Sequence, residues 1–512
     1  MKIKRILQST VFLMGVILFA KILGMLRDVV LANYFGTSNV SDAYLIAVSI
    51  PNYLFFFVGH SLSTAFLPMY NKVKHNKGEK KAQRYMNSLI CCALVISTVA
   101  VALLLIFPDP VVRLFAAGFD TETVGIASTF VRLSACSLYF MTIINVWGGY
   151  LQAKGNFIIP ASVSVPRNIV IMISIYFAAT VHVSLLGVGL LLAYVSEFVL
   201  MLPFVLKKGY RPQLALDIKA EETKETLYLV MPILLGVGVS QINHIIDRSL
   251  ASTSGEGGLS ALTYALILNN AVQEVLVTGI ITILFAKCAS WVAEGNHDLV
   301  KSKLKQTVNT MILLLLPATV GILICSEMIV KCVLCRGEFD ETSLAMTTGA
   351  LCCYTLGLLF LALRDTLVKV FYAYKKTKLT TITSIIAISI NIVLNFVLLH
   401  FMGLNGLALA TTISAVFSCV TLYVMLRKHI GDFGLKSMLI TILKSTISCA
   451  VMAVAVILVQ KYLISALPEL VGLVVCVLAG VVAYFGCAFA IRIEPLKMLI
   501  SELKAKFIKK KN

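Results

Sequence analysis

Apolar runs long enough to cross a lipid bilayer recur from one end of the chain to the other, and no other feature restricts its fold so severely. A bilayer core takes about 20 apolar residues as an α-helix, more when the helix tilts. Inside lipid, only helices and closed barrels satisfy their own backbone hydrogen bonds. Runs of this kind lie near 10–33, 41–70, 86–107, 123–150, 157–180 and 184–206. Others lie near 225–251, 258–290, 306–326, 342–372, 380–401 and 405–427, followed by 438–462 and 468–492. The expectation is an all-α polytopic membrane protein with about 14 transmembrane helices. Charged residues make up only 13% of the chain, against about 25% in soluble domains, so no large extramembrane domain fits. Lys2, Lys4 and Arg5 before the first run imitate a signal peptide, but the apolar pattern continues to Ala32 without a small-residue cleavage site. It reads as an uncleaved first helix.

The net charge of +19 would suit nucleic acid, but its distribution points to loops beside anionic lipid headgroups. With the N-terminus in the cytoplasm, the basic clusters Lys72–Arg84, Lys207–Lys224, Lys301–Lys305, Lys375–Lys378, Arg427–Lys436 and Lys497–Lys511 all fall on one side. The opposite loops hold few bases beside Asp109, Asp120, Glu122, Glu338, Asp340 and Glu341. This asymmetry places both termini in the cytoplasm. Most of the 13 cysteines sit inside apolar runs, where they act as small hydrophobes. The C-x-x-C of Cys332 and Cys335 stands without a βαβ context or a second pair, a weak metal or redox signal.

The chain also repeats itself: Phe119-Asp120 matches Phe339-Asp340, Leu31-Ala32 matches Leu250-Ala251, and Asn168 matches Asn391. Two parallel six-helix repeats are expected to form two lobes around a central cavity, with two further C-terminal helices. The expected divisions are 1–206 for an N-lobe, 207–436 for a C-lobe, 437–492 for the last two helices and 493–512 for a basic tail.

No G-x-x-x-x-G-K-[ST] phosphate loop and no H-E-x-x-H occurs, and the outer loops are too short for a catalytic domain. A transporter is expected rather than an enzyme, with no cofactor and with energy from membrane potential or a Na⁺ or H⁺ gradient. The informative residues are ionisable groups within spans, each costing roughly 2.5–3.5 kcal/mol at mid-bilayer unless it meets a partner or water. The first helix carries Lys21, Arg27 and Asp28, with Lys21 and Asp28 two turns apart on one face and Gly24 between them. Spacing supports two readings: a cationic patch for a phosphate, or a structural pair of Arg27 with Asp28 or Asp42. Asp42, at the start of the second helix, reads as a gate residue or as an acid stabilised by the helix dipole. Asp247 and Arg248 end the seventh helix, and His60, Glu197, His244, Glu274, Arg364 and Asp365 are further intramembrane candidates. Each also fits a locally satisfied polar group at a helix contact.

The stretch Lys21-Ile-Leu-Gly-Met-Leu-Arg27-Asp28, followed by Asn33-Tyr-Phe-Gly36, Ser41-Asp42-Ala43, Pro51-Asn52 and Ser63-Thr-Ala-Phe-Leu-Pro68, resembles the N-terminal signature of the MurJ (MviN-type) lipid II flippases. The similarity continues through Tyr150-Leu-Gln-Ala-Lys-Gly-Asn-Phe157, Gln241, Asp247-Arg248-Ser-Leu-Ala-Ser252, Gly295-Asn-His-Asp298, Arg336-Gly-Glu-Phe339, Phe371-Tyr-Ala373, Asn391 and Gly406-Leu-Ala-Leu-Ala-Thr411. The resemblance implies a bacterial inner-membrane flippase of the multidrug/oligosaccharidyl-lipid/polysaccharide exporter superfamily. Its substrate would be lipid II or a related undecaprenyl-pyrophosphate glycolipid, and its partners membrane lipids and the cell-wall synthesis machinery. The family's pyrophosphate-binding basic positions match Lys21 and Arg27, and its acidic residue at the start of the second helix matches Asp42. Residues 437–492 would form the lipid-tail groove. The family's usual bases are replaced here by Phe55, Phe56 and Ile267. His60, Arg248 and Arg364 are the candidates to compensate, with Asp28, Asp42 and Asp247 as gate candidates. The alternatives are a flippase for another undecaprenyl-linked glycan, such as a capsule or teichoic-acid precursor, or a scaffold without transport.

Overall fold

Long runs of Leu, Val, Ile and Ala without interior breakers favour helix, and lipid leaves the backbone no other open form. The computed structural model describes residues 2–56, 61–213, 215–217, 220–463, 467–498 and 501, so His60 and most of the basic tail lie outside the described residues. Among them the secondary structure is helical and no strand occurs. By internal contact the chain divides into two units, Met1–Ser260 with Arg336–Asp340, and Ala261–Cys335 with Glu341–Asn512.

The first unit is built from α1 (Lys2–Phe35), α2 (Asn39–Phe55), α3 (Ser61–Lys77), α4 (Glu79–Ile106), α5 (Pro108–Phe115), α6 (Thr121–Ser134), α7 (Ser137–Ala153), α8 (Ile158–Ser162), α9 (Ser164–Thr180), α10 (Leu185–Lys207) and α11 (Glu221–Ala251). It also holds the first turn of α12 (Gly258–Leu276). The second unit continues α12 and adds α13 (Thr278–Ala293), α14 (His297–Leu334), α15 (Glu341–Thr355), α16 (Leu358–Ala373), α17 (Thr377–Met402), α18 (Leu404–Ile430), α19 (Leu435–Tyr462) and α20 (Glu469–Ala490).

Among the described residues, eight helices are long and apolar enough to span a membrane, or eleven if each bent pair counts as one span. The remaining expected spans, 10–33, 41–70 and 225–251, fall on α1, α2 with α3, and α11, outside that count. Among the described residues, three runs expected as single helices bend by more than 40° at a break: α6 and α7 meet at 49°, α12 and α13 at 48°, and α15 and α16 at 45°. A break frees backbone carbonyls that must be satisfied in lipid. At the α15–α16 break the Thr412 hydroxyl donates to the Cys353 carbonyl at 2.7 Å, and Gly357 packs against Thr412.

Polar caps set several starts. Asp120 accepts from Thr123 N at the start of α6, and Asn296 accepts from Leu299 N at the start of α14, each meeting a donor that the helix leaves unpaired.

The first unit centres on aromatics: Phe66, Tyr70, Tyr85, Trp147, Tyr150 and Tyr210 are buried together. Their tyrosine hydroxyls are met, as Tyr150 donates to Lys208 O at 2.9 Å and Tyr210 to Asn87 Oδ1 at 2.6 Å. Buried rings keep such hydroxyls bonded because an orphan costs about 1–3 kcal/mol. In the second unit, α19 and α20 pack together and against α14 through Cys449, Met452, Val456, Cys476 and Tyr484. The Tyr484 hydroxyl donates to Leu313 O at 2.9 Å. The opposite face of α19 exposes Leu439, Leu443, Val454 and Leu458, as expected of a helix bathed in lipid.

Candidate functional site

The charges of the first helix separate by depth along it rather than by face. Residues 12–22 of α1 are largely exposed, whereas its last turns are increasingly buried. Lys21 is therefore exposed while Asp28, on the same face by spacing, retains only 7% of its surface. Arg27 chelates one carboxylate oxygen of Asp28 through Nε at 3.0 Å and Nη2 at 2.6 Å. Its Nη1 reaches Asn168 Oδ1 of α9 at 3.4 Å, and the Asn168 amide donates to Ala20 O at 3.4 Å. Gly24 faces that amide, and a Cβ there would meet Asn168 Nδ2 at 3.6 Å, an ordinary contact. The structure thus joins Arg27, Asp28 and Asn168.

A second ion pair lies deeper in the same unit, on residues of which only Glu197 stands out in the sequence. Arg167 of α9 meets Glu197 of α10, Nη1 to Oε1, at 3.1 Å. The Arg167 guanidinium lies over the Tyr194 ring, 5.8 Å from its centroid, and Tyr194 donates to Asn52 Oδ1 at 3.1 Å. These side chains line a cavity of about 610 Å³ between α2, α3, α7, α8, α9 and α10. Asn145 and Gln152 add neutral polar groups to its wall, and Phe55 adds an apolar one. One of the two aromatic departures from the family pattern therefore faces this cavity. Arg167 escaped the sequence reading because a lone base inside an apolar run resembles a snorkelling residue. The signal was the rule that ionisable groups within spans need partners.

Asp42 belongs to the first turn of α2, yet its carboxylate serves another helix. Its Oδ1 accepts from Ser260 N at 2.7 Å, in the first turn of α12, and only 1% of the residue is exposed. Around it, segments far apart in sequence interlock. Asn33 O accepts from Glu338 N at 3.0 Å, and Gly118 N donates to Ser252 Oγ at 3.0 Å. Arg248 donates from Nε to the Tyr53 hydroxyl at 3.1 Å, and Asp247 accepts from Asn243 Nδ2 at 3.0 Å. In the second unit, Arg364 chelates Asp365 at 3.0 and 2.8 Å, and Gln273 donates to Asp365 at 3.3 Å. Cys332 and Cys335 are thiols rather than a disulfide, and no cluster of three or more His, Cys, Asp or Glu among the described residues is arranged for a metal ion.

The fold resembles that of a multidrug-resistance MATE family transporter of the MOP superfamily in an inward-facing conformation, with a TM-score of 0.68 over 81% of this chain and 95% of that one at 15% identity. Apolar helices with ion pairs between them in that fold define the class: a polytopic helical membrane protein. A solved lipid II flippase MurJ in an inward closed conformation is closer, with a TM-score of 0.82, 25% identity, and coverage of 94% of this chain and 99% of that one. The "Probable lipid II flippase MurJ" of Thermotoga maritima is 26% identical over 486 residues, 94% of this chain and 96% of that protein. The family model described as lipid II flippase MurJ matches residues 31–476, and the chain belongs to that family.

Proposed function

We propose that this protein moves lipid II, the undecaprenyl-pyrophosphate-linked peptidoglycan precursor, from the cytoplasmic to the outer leaflet of the bacterial inner membrane. The observation that carries the reading is the family match across residues 31–476, joined to similarity with a solved MurJ over nearly the whole chain. The headgroup pyrophosphate is held by Lys21, Arg27, His60, Arg248 and Arg364, and Asp28, Asp42 and Asp247 act as gate residues. Residues 437–492 accept the lipid tail, which the apolar exposure of α19 supports. Both termini lie in the cytoplasm, and membrane potential or a Na⁺ or H⁺ gradient drives an alternating-access cycle. The bonding of Asp42 to the first turn of α12 supports a gate role, since opening there must break a buried hydrogen bond.

A second reading, transport of another undecaprenyl-linked glycan, is favoured by Phe55 in the cavity wall, where the resemblance leads one to expect a base. The test is rescue of bacteria depleted of their own lipid II flippase, scored by growth and by lipid II in the outer leaflet. We expect rescue by the wild type and its loss in Arg27→Ala at unchanged protein level. Failure of the inserted wild type to rescue would overturn lipid II as substrate and turn attention to the second reading.

A further inference from the structure

The Arg167–Glu197 pair is asymmetric in a way that an internal structural pair does not require. Both side chains line the cavity, but Glu197 keeps only 4% of its side chain exposed whereas Arg167 keeps 31%. Glu197 Oε1 is buried and meets only the Arg167 guanidinium among the described residues. A guanidinium offers five N–H donors, and beyond the ion pair and the Tyr194 ring Arg167 has no further protein partner among the described residues. An anion entering the cavity therefore meets a more exposed cation beside a more deeply buried carboxylate.

We propose that Arg167 is an anion site for a phosphate-bearing headgroup, and that Glu197 is its resident counter-ion, displaced when the headgroup binds. The inference rests on the lipid-linked pyrophosphate reading above and adds a site and a coupling to it. Phosphate engages guanidinium through paired, charge-assisted hydrogen bonds and outcompetes one imperfectly bonded carboxylate. Glu197 is then a buried carboxylate without a cation, a state that costs several kcal/mol and is relieved by taking a proton from solvent. The exchange balances: the headgroup takes the Arg167 ion pair, Glu197 gains one proton, and release of the headgroup returns both.

Among the described residues, no other charged side chain lines the cavity. From α9 the facing group is Arg167, and from α10 itself Tyr194. From α2 Asn52 lines the cavity, and the same helix carries the buried Tyr44. α7 presents Asn145 and Gln152, and α8 carries no ionisable side chain. On α6 the charged Glu122 and Arg132 are exposed, and its buried face holds Thr123, Ser128 and apolar residues.

The test is calorimetric titration of the full-length protein in nanodiscs with inorganic pyrophosphate and, separately, with lipid II. Running each titration in buffers of different ionisation enthalpy counts the protons exchanged. The wild type is expected to take up about one proton per anion bound. Glu197→Gln should bind at least as tightly with no uptake at that site. Arg167→Gln should bind roughly tenfold or more weakly. If it fails to fold, Arg167→Gln with Glu197→Gln, which removes both charges together, should fold and bind as weakly. Proton uptake that persists in Glu197→Gln, or unchanged affinity in a folded Arg167 variant, overturns the proposal. Binding of inorganic pyrophosphate alone, with uptake but without lipid II binding, marks a free-phosphate site and overturns the headgroup assignment. Uptake with lipid II in a protein that fails the cellular rescue would sink the transport reading and leave this site standing.

Discussion

Arg27 and Asp28 are sequence neighbours whose side chains close on each other, and Asn168 of α9 completes the contact. Removing one partner from such a pair strands the other, at about 3–5 kcal/mol when both are buried. A quarter of the Arg27 side chain is exposed, so Asp28→Ala should cost about 2–3 kcal/mol. The paired change Arg27→Gln with Asp28→Asn should cost clearly less, because no charge is stranded. Thermal unfolding of the purified protein measures both, and equal losses would show that packing rather than charge holds α1 to α9. Asp42 shows how far residue type and position reach: an acid in a first turn suggests its own helix dipole. Its carboxylate instead bonds the start of α12, more than two hundred residues away in the chain.

Between elements, close backbone approach does what side chains cannot. Gly36 ends α1 with φ +53° and lies on the Glu338 carbonyl, while Gly337, φ +60°, lies on the Asn33 carbonyl. A methyl group at either would meet backbone, and its φ is one that L side chains adopt at a cost of about 1–3 kcal/mol. Gly36→Ala should therefore lower thermal stability by at least that amount and loosen the 336–340 segment to proteolysis. An unchanged melting temperature would refute the interlock. At the far end of α3, Lys77 donates to Glu222 of α11 at 2.6 Å, and Lys72 bonds Glu225 at 2.7 Å. The hydrogen bond to Lys77 holds the Glu222 carboxyl below its usual range, and the same bond raises the Lys77 ammonium. A lowered carboxyl contributes fully above its unfolded value of about 4.3 and is lost as pH falls through the lower folded value. A raised ammonium contributes below about 10.4 and is lost as pH rises through its higher folded value. The α3–α11 clamp should thus hold from about pH 5 to pH 10, with a constant spin-label distance between the two helix ends. A distance that changes within that window would show that something else sets it.

Across the whole molecule, the apolar surface is extensive on many helices, including Val99 and Ile106 of α4, Phe396 of α17 and Val482 of α20. Such surface belongs in lipid, so the protein should stay with membranes through an alkaline carbonate wash and leave only with detergent. Release by carbonate would refute the membrane assignment. The spans and the family signature were legible in the sequence because each is a local property. Helix length answers to bilayer thickness, and Lys21–Asp28 or Asn33–Gly36 is read without knowing what it touches. Three bends inside runs that look continuous were not legible, because a break such as α15–α16 depends on Thr412 from another helix receiving the freed carbonyl. Nor was the pairing of Arg167 with Glu197, or of Asn33 with Glu338. Hydrophobic period and run length decide that a segment is a helix in lipid. Which buried charges meet depends on where helices distant in sequence cross, and only the tertiary structure decides that.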